Sequence, residues 1–450
     1  MQFRAKATRN KEPGESGFKR ILHGYDVRGR ERLPDTNSIK DAHEALTGIC
    51  WVERYPVAWT RCVEFPATHD DNVGGGKTLC IRQNALTHRR VLVKNRRFRA
   101  YDNDARPIRM FCKRMLECAM MRRMRKYLYR CAYICGLISL VRFLHRNSLT
   151  VILYHGVAPT EVRDDIYNYR KKFIAPEHFE KQLAFLKAHY TILPLEEALQ
   201  LQQENRLPPY ALAITFDDGY ENNFHFAYAA LKRMKLSATF FVTTDFVFDR
   251  KPLWVDRLEY AYGAGNSSRT EKETRDNELR NALKKLSSEE REERLVAIET
   301  ETRSLTDFAN DRKVYAPLSE SEMREMVDGG MTIGAHTQSH PILSMILPDE
   351  ARSEIALSKL ALESAGFTVS PIFAYPNGQS GDWNDKTEEL CQKTGFTHAL
   401  TTEQGVNTRA THPYRLKRIA LDGTDDDIAT FAAIVAGVRL YLSTIKRLFI

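Results

Sequence analysis

The stretch Ala213-Ile214-Thr215-Phe216-Asp217-Asp218-Gly219-Tyr220 combines an apolar run with two adjacent carboxylates and a glycine. Residues 211–216 are apolar and partly β-branched, which predicts a short buried strand. Asp217 and Asp218 follow at its carboxyl end, the end at which barrel and open-sheet enzymes carry their chemistry. The alternative is an ordinary Asp-Asp-Gly turn, because Asp and Gly both favour turns.

A second stretch, Gly334-Ala335-His336-Thr337-Gln338-Ser339-His340, favours a chemical role for the first. It continues an apolar run, 331–335, that also predicts a buried strand. Two histidines four residues apart lie on one face of a helical turn, so one cation can bind both imidazoles. A carboxylate from another strand end would complete a three-ligand set. A lone pair with this spacing arises by chance on surface helices, whereas two strand ends that both carry metal-ligand residues are more specific.

The two motifs, Thr-Phe-Asp-Asp-Gly and His-Thr-x-x-His, resemble those of the NodB-homology polysaccharide deacetylases, carbohydrate esterase family 4. They stand in the family's order, and the resemblance covers roughly residues 148–425. It implies an α/β fold, a distorted and incomplete (β/α)7 barrel. It also implies a metal-dependent hydrolase that removes N-acetyl groups from an N-acetylated sugar in a polysaccharide or glycan precursor. An N-acetylated glycan is therefore the expected partner.

The resemblance also implies roles for the residues at the two strand ends. Asp218, His336 and His340 match the metal ligands, and Asp217 matches the general base that deprotonates the attacking water. A divalent metal is the expected cofactor, with zinc first because one Asp and two His suit it, although other divalent ions fit the set. Neighbouring strand residues point to opposite faces, but the backbone can turn at a strand end and bring both carboxylates to one pocket.

The general acid is assigned by likeness to a subgroup. Leu153-Tyr154-His155-Gly156-Val157 matches an early Tyr-His motif that resembles bacterial exopolysaccharide deacetylases, so His155 is the expected acid. His398 is the alternative, although it lies inside the late stretch 395–400 and does not close it, unlike the histidine of the family's Leu-x-His motif. For both histidines the interpretation without function is a core imidazole bonded to a backbone group.

The third motif departs from the family pattern. Phe373-Ala374-Tyr375-Pro376-Asn377-Gly378 replaces Phe-Arg-x-Pro-Tyr-Gly, whose arginine pairs with the base aspartate. Since Ala374 stands at the arginine position, either Asp217 is tuned differently or another cation pairs with it, and Arg418 near the last predicted strand is the candidate. The backbone N–H of Asn377 matches a position that helps to hold the oxyanion, a role that does not depend on the side chain.

Aromatic residues near this motif are candidates for sugar contacts. Tyr375 and Pro376 in the loop, and Trp383 after it, are expected to bind substrate, because an indole suits the apolar face of a sugar ring. Ordinary packing of Trp383 is the alternative. Trp254, at the start of a charged stretch, is a further candidate for lining the same groove.

Alternation of strands and helices predicts a parallel sheet covered by helices. The helices are expected at 176–189, 224–235, 320–327, 349–365 and 386–393, and residues 250–315 read as a charged helical insertion. The expected strands are 150–154, 211–216, 238–242, 331–335, 371–375, 396–401 and 415–421.

Charge and cysteines divide the chain in the same place. Residues 1–150 hold 31 Lys and Arg against 14 Asp and Glu, whereas the remaining 300 residues hold 36 against 44. Seven of the eight cysteines precede residue 150, so the barrel needs no internal disulfide. Residues 1–109 read as a basic extension that is disordered or reflects a start codon placed too early, in preference to a nucleic-acid-binding segment.

Two apolar segments flank the barrel. Residues 110–147 contain a basic cluster followed by an interrupted apolar run, which fits a basic amphipathic helix at a membrane surface or a helix packed on the barrel. Residues 426–450 form a C-terminal helix that caps the barrel or contacts the same membrane. The expected location is the bacterial cell envelope or the periphery of the inner membrane, with the side undetermined and a cytoplasmic location open.

Two other functions compete with N-deacetylation of a glycan. One is a C–N hydrolase that uses the same site on a small non-sugar amide. The other is a catalytically silent glycan-binding barrel, which the missing arginine at position 374 favours.

Overall fold

The computed structural model describes residues 124–159, 168, 171–263, 269–302, 315–423 and 427–438, together with three strands before residue 124. The chain divides into two compact units, Met1–Ile108 and Arg109–Ile450. In the first, three strands form an antiparallel sheet: Thr60–Glu64, Thr78–Arg82 and Arg90–Val93. Weak apolar periodicity in residues 1–109 predicted no strands, and the rest of this basic extension lies outside the described residues.

Seven parallel strands form the sheet of the second unit, and we label them β1 to β7 in chain order. They are β1 Thr150–Tyr154, β2 Ala211–Phe216, β3 Thr239–Val242, β4 Thr332–Ala335, β5 Val369–Ala374, β6 His398–Leu400 and β7 Ile419–Ala420. Their spatial order is β6-β5-β4-β3-β2-β1-β7, and every pairing is parallel. A two-residue strand, Thr191–Ile192, adds beside the start of β2.

The sheet curls because the segment that leads into β7 contacts both of its ends. Leu416 bridges to Leu400 of β6, and three residues later Ile419 pairs with Ile152 of β1. The predicted distorted, incomplete (β/α)7 barrel is therefore confirmed. All seven predicted strands are present, and several are shorter than predicted at their ends.

Helices surround the sheet and connect its strands. They are α1 Met124–Ile134, α2 Leu137–Leu144, α3 Pro176–His189, α4 Leu195–Gln203, α5 Ala229–Met234, α6 Thr244–Val247, α7 Trp254–Gly263, α8 Arg269–Leu283, α9 Ser288–Thr302, α10 Glu320–Asp328, α11 Pro348–Ser364, α12 Asp385–Lys393 and α13 Ile428–Val435. Two short 3-10 turns, Leu343–Met345 and Pro413–Arg415, and a two-strand pair, Gly156–Val157 with Phe173–Ile174, complete the described elements.

The helical predictions miss α4 and α6 and differ from the structure at residues 223–234. Helix α4 and the strand before it were not predicted. The expected helix 224–235 is a π-helical turn, Asn223–Tyr228, followed by α5. The charged insertion consists of α7, α8 and α9, and residues 264–268 and 303–314 lie outside the described part. The expected C-terminal helix is described as α13, and residues 439–450 lie outside the described part.

Side chains of the strands alternate between two apolar clusters. Ile152, Ile214 and Phe240 pack in the larger cluster, with residues of the surrounding helices. Val151 and Ala213, one position away on β1 and β2, pack in a second cluster with Leu195 of α4. This period of two follows from the pleat of a strand and fixes which residues face the barrel interior.

Candidate active site

Three ligand-type side chains meet at the carboxyl ends of β2 and β4. The Nε2 atoms of His336 and His340 lie 3.6 and 3.4 Å from Oδ1 of Asp218, and all three residues are buried. His336 Nδ1 lies 2.8 Å from the backbone carbonyl of Ala374, so this nitrogen donates to the carbonyl and Nε2 is directed at Asp218. The structure therefore brings together the three residues that the sequence assigned to a metal.

The backbone at the end of β2 explains how two neighbouring carboxylates reach one pocket. Thr215 faces the interior, and alternation places Asp217 on the same side and Asp218 on the other. Asp218 instead adopts a φ of 78°, in the left-handed region, which turns its carboxylate back towards the histidines. The sequence left open whether the backbone turns at the end of β2, and the structure contains this turn at Asp218.

The loop after β4 is not the helical turn that the histidine spacing suggested. Thr337 and His340 have φ values of 65° and 63°, which no right-handed helix contains, so the prediction of a helical turn is wrong. Glu354 of α11 holds the loop: its carboxylate accepts from the N–H groups of Gln338 and Ser339 at 2.9 and 2.8 Å and from Ser339 Oγ at 2.6 Å. Both imidazoles are aligned by loop geometry.

Asp217 is paired with Arg418. The two guanidinium NH groups of Arg418 donate to the two carboxylate oxygens of Asp217, each at 2.7 Å, and Nε donates to the carbonyl of Thr401 at 2.8 Å. Both side chains are buried, and Arg418 has no exposed surface. Asp217 Oδ2 also lies 3.9 Å from His336 Nε2, so this ion pair borders the three-ligand cluster.

The cluster perturbs the acidities of its members in opposite directions. Burial alone would raise the pKa of Asp218, but hydrogen bonds from His336 and His340 outweigh burial and hold it well below its usual value. Burial would lower the pKa of His336, yet the charge of Asp217 and the hydrogen bond to Asp218 raise it. Burial dominates at His340, whose pKa is lowered. The same buried cluster therefore shifts the pKa values of its two imidazoles in opposite directions.

His155 follows β1 at the same end of the barrel and is half-buried. Burial lowers its pKa, although the charges of Asp218 and Asp217 act to raise it. The alternative histidine lies elsewhere: His398 begins β6, where it pairs with Ile372, and its Nε2 is 3.2 Å from Gln203. That position is the amino end of the strand, opposite to the ligand cluster, so the structure does not bring His398 to the site.

The loop after β5 contains Tyr375, Pro376 and Trp383, which were predicted to bind substrate, and they pack against their neighbours. Tyr375 has no exposed surface and stacks on Trp383, with ring centroids 5.8 Å apart, while Arg415 lies over the Trp383 indole. Pro376 is also buried, so packing rather than an open sugar-binding face describes this set. Asn377 is half-buried with a φ of 59°. Within the described part of the chain, its N–H donates no hydrogen bond.

Hydrogen bonds connect the charged insertion with residues around the site, and the sequence predicted none of these contacts. Trp254 Nε1 donates to the backbone carbonyl of His340 at 3.0 Å, so the indole is buried behind the ligand loop and does not line a groove. Lys284 Nζ donates to Asn377 Oδ1 at 2.7 Å. Asp256 of α7 accepts from the hydroxyl of Tyr220 at 2.8 Å and from Lys172. Only the Trp-Val-Asp sequence at 254–256 gave a signal.

Comparisons with known proteins follow the same motifs. Residues 204–399 match the family model described as polysaccharide deacetylase. YxkH of Bacillus subtilis (strain 168), which carries a provisional assignment as a polysaccharide deacetylase, is 23% identical over 273 residues, which are 60% of this chain and 70% of that protein. The matched family region contains the three ligand-type residues and Asp217, but begins after His155 and ends before Arg418.

Two further similarities are to a Staphylococcus aureus deacetylase and to a solved structure. The poly-beta-1,6-N-acetyl-D-glucosamine N-deacetylase of Staphylococcus aureus (strain MRSA252) is 34% identical over 112 residues, 22% of this chain and 38% of that protein. The chain thus matches well under half of that relative's length. The structure of IcaB from Ammonifex degensii aligns with a TM-score of 0.43 at 20% identity, over 63% of this chain and 97% of that one.

Proposed function

Because the chain belongs to the polysaccharide deacetylase family of hydrolases, we propose that it removes N-acetyl groups from a poly-N-acetylglucosamine with the help of one divalent metal, zinc first. The observation that carries the proposal is the juxtaposition of Asp218, His336 and His340 beside the Asp217–Arg418 pair. The choice of polymer is supported by the Staphylococcus aureus relative, whose name states its substrate.

The residues present fit a divalent metal. Two imidazole nitrogens and one carboxylate oxygen, all buried and within 4.8 Å of one another, form the donor set that zinc takes in hydrolytic sites. The Ala374 carbonyl orients His336, as the outer partner of a metal-bound histidine commonly does. When bound, such an ion supplies positive charge for the developing oxyanion and makes a bound water easier to deprotonate.

Asp217 is the proposed general base. Its two oxygens accept from Arg418, and each carboxylate oxygen keeps a further lone pair to receive a proton from the attacking water. Arg418 fixes the orientation of the carboxylate through two parallel hydrogen bonds, as a bidentate guanidinium does. We therefore propose that Arg418 performs the task of the family arginine whose position is occupied by Ala374. The support that the missing arginine gave to a silent barrel is weakened accordingly.

The remaining two roles concern the oxyanion and the leaving amine. The Asn377 N–H, which has no acceptor within the described residues, is proposed to donate to the oxyanion. His155, which follows β1 at the same end of the barrel as the two carboxylates, is proposed to give a proton to the departing amine. The proton taken by Asp217 and the proton given by His155 balance the hydrolysis.

The test is release of acetate and free amine from N-acetylglucosamine oligomers by the full chain. We expect turnover that a chelator abolishes and that Asp218→Asn lowers at least about a hundredfold, whereas the exposed-residue control Asp328→Asn is unaffected. Oligomers with β-1,6 and β-1,4 linkages, together with small acetamides, distinguish a polymer deacetylase from a hydrolase of small amides. Activity that survives both chelation and Asp218→Asn would contradict the proposal.

A further inference from the structure

Helices α1 and α2 expose an unusually large share of the apolar side chains. Among the described residues, nine of the sixteen exposed large hydrophobic side chains fall within this one helix pair. We refer to them as the α1–α2 apolar surface: Met124, Tyr127, Leu128, Tyr133, Ile134, Leu137, Leu140, Phe143 and Leu144. Contiguous apolar surface of this kind normally marks a binding surface.

The opposite face of the helix pair is fixed to the barrel. Tyr129, Ile138 and Val141 are buried in a cluster with Ala432 and Ala433 of α13. His145 Nδ1 lies 3.0 Å from the carbonyl of Ala436, just after α13. Because the inner face is occupied by the barrel, the outer apolar residues are held outward, towards a partner.

The charge of the segment selects among possible partners. Residues 124–150 contain five Lys and Arg and no Asp or Glu. Residues 1–123 contain 26 Lys and Arg against 14 Asp and Glu, so the upstream chain would bring like charge to this surface. Arg130 pairs with Asp427, and a second copy docked on the same surface would bring the same remaining positive charge. Anionic phospholipid headgroups offer the opposite charge and an apolar layer beneath it.

The bend between α1 and α2 favours an orientation in which both helices lie along the surface of a bilayer. Within the described ranges, no single helix is both long and apolar enough to cross a membrane, and α1 and α2 meet those criteria only together, across a 78° bend. Tyr127, Tyr133, Arg125 and Lys126 are side chains that place an apolar stem in the hydrocarbon boundary and a polar end in the headgroups. We propose that the α1–α2 apolar surface binds the interface of a bilayer that contains anionic phospholipid.

This placement gives the barrel an orientation. Tyr210 N donates to the Arg146 carbonyl at 2.7 Å, directly before β2 begins, so the end of α2 lies near the amino ends of the strands. Asp217 and Asp218 follow the carboxyl end of β2. The proposed active site therefore opens at the far end from α2, and a membrane-bound protein would present it to a polymer in the aqueous phase. Such a location suits the periphery of a bacterial inner membrane.

The experiment is co-sedimentation of the full chain with vesicles of phosphatidylcholine, with and without phosphatidylglycerol. We expect binding to the anionic vesicles that weakens as salt is added, and about tenfold weaker binding for Leu140→Asp and for the double variant Arg125→Glu, Lys126→Glu. Leu360→Asp is the matched control, since Leu140 and Leu360 are both 54% exposed and Leu360 lies on α11. It should bind as the unaltered chain does.

Three results would overturn the proposal. The first is failure of the unaltered chain to bind anionic vesicles, and the second is equal loss of binding in Leu140→Asp and Leu360→Asp. The third is a concentration-dependent dimer that Leu140→Asp abolishes, which would assign the surface to a second copy. None of these readouts requires deacetylase activity. If the protein deacetylates, its turnover of soluble oligomers should be unchanged by vesicles, and vesicles that block turnover would contradict the orientation.

Discussion

Arg418 and Asp217, 201 residues apart in the chain, are joined by two hydrogen bonds of 2.7 Å in a fully buried ion pair. The contact forms because the curl of the sheet brings β7 beside β1, which in turn lies next to β2. A cation from the last strand can therefore reach the carboxylate that follows the second. The fold supplies this partner although position 374, where the family has arginine, holds alanine.

Replacing Arg418 should cost both activity and stability. Arg418→Ala leaves a buried carboxylate without its counter-charge, and we predict a loss of roughly 3–5 kcal/mol in the free energy of unfolding. Arg418→Lys keeps a charge but loses the two-pronged geometry, so it should fold better and still lose turnover. Urea unfolding and the pH dependence of turnover are the measurements. Arg233→Ala, which removes an exposed ion pair with Glu180, is the control and should change little.

Turnover by Arg418→Lys equal to that of the unaltered chain would show that the two-pronged contact with Asp217 is not needed for catalysis. A double variant with Asp217→Asn adds a further check. If the two residues act as a pair, removing the second partner should cost much less than removing the first.

Metal binding should release the proton that His336 holds at pH values below its raised pKa. In the metal-free protein the pKa of His336 is raised, because the charge of Asp217 and the hydrogen bond to Asp218 outweigh its burial. A metal needs the neutral imidazole, so it must displace that proton. Affinity should therefore rise as pH rises through the raised pKa of His336 and level off above it. Calorimetric titration with zinc in two buffers of different ionisation enthalpy measures the release, and identical heats would contradict it.

Glu354 should support metal affinity without touching the metal. Its carboxylate orders the loop between the two histidines through two backbone N–H groups and Ser339 Oγ. We predict that Glu354→Gln weakens zinc binding by about 10- to 100-fold, the usual effect of losing a residue that positions ligands. Glu363→Gln, on the exposed side of the same helix, is the control. Equal zinc affinities for the two variants would show that Glu354 does not support metal binding.

The hydrogen bond from Trp254 to the carbonyl of His340 should also be measurable. Trp254→Phe keeps most of the buried ring but loses the N–H donor, and we predict roughly 1–3 kcal/mol lower stability together with weaker zinc binding. Trp383→Phe is a matched control. Within the described residues the Trp383 Nε1 is buried without an acceptor, so this substitution removes no hydrogen bond to the protein. If both variants behave alike, the insertion does not anchor the ligand loop.

The sequence predicts the barrel well because β1 to β4 are short apolar runs followed by polar residues. It also places Asp217, Asp218, His336 and His340 at strand ends that meet in space. It does not predict the loop after β4. Thr337 in this loop has a φ of 65°, and β-branched residues rarely adopt this conformation. That conformation depends on tertiary contacts, above all those of Glu354, which leave no local signature.

Contacts between distant segments are the other part that sequence patterns miss. Trp254 and Trp383 look alike as candidates for sugar contacts, yet one donates to a ligand loop and the other stacks on Tyr375. Which surface an aromatic ring packs against is decided by elements far away in the chain. The likeness of Arg418 to the absent family arginine, by contrast, was accessible because the curl of a barrel makes its last strand a neighbour of its first.

The most direct measurement is X-ray absorption at the zinc edge of the zinc-loaded full chain, with Asp218→Asn beside it. We predict one zinc per chain with two imidazole nitrogens and oxygen at about 2.0–2.2 Å, and loss of stoichiometric zinc in Asp218→Asn. Sulfur ligands at about 2.3 Å, a spectrum without imidazole scattering, or full zinc retention by Asp218→Asn would contradict it.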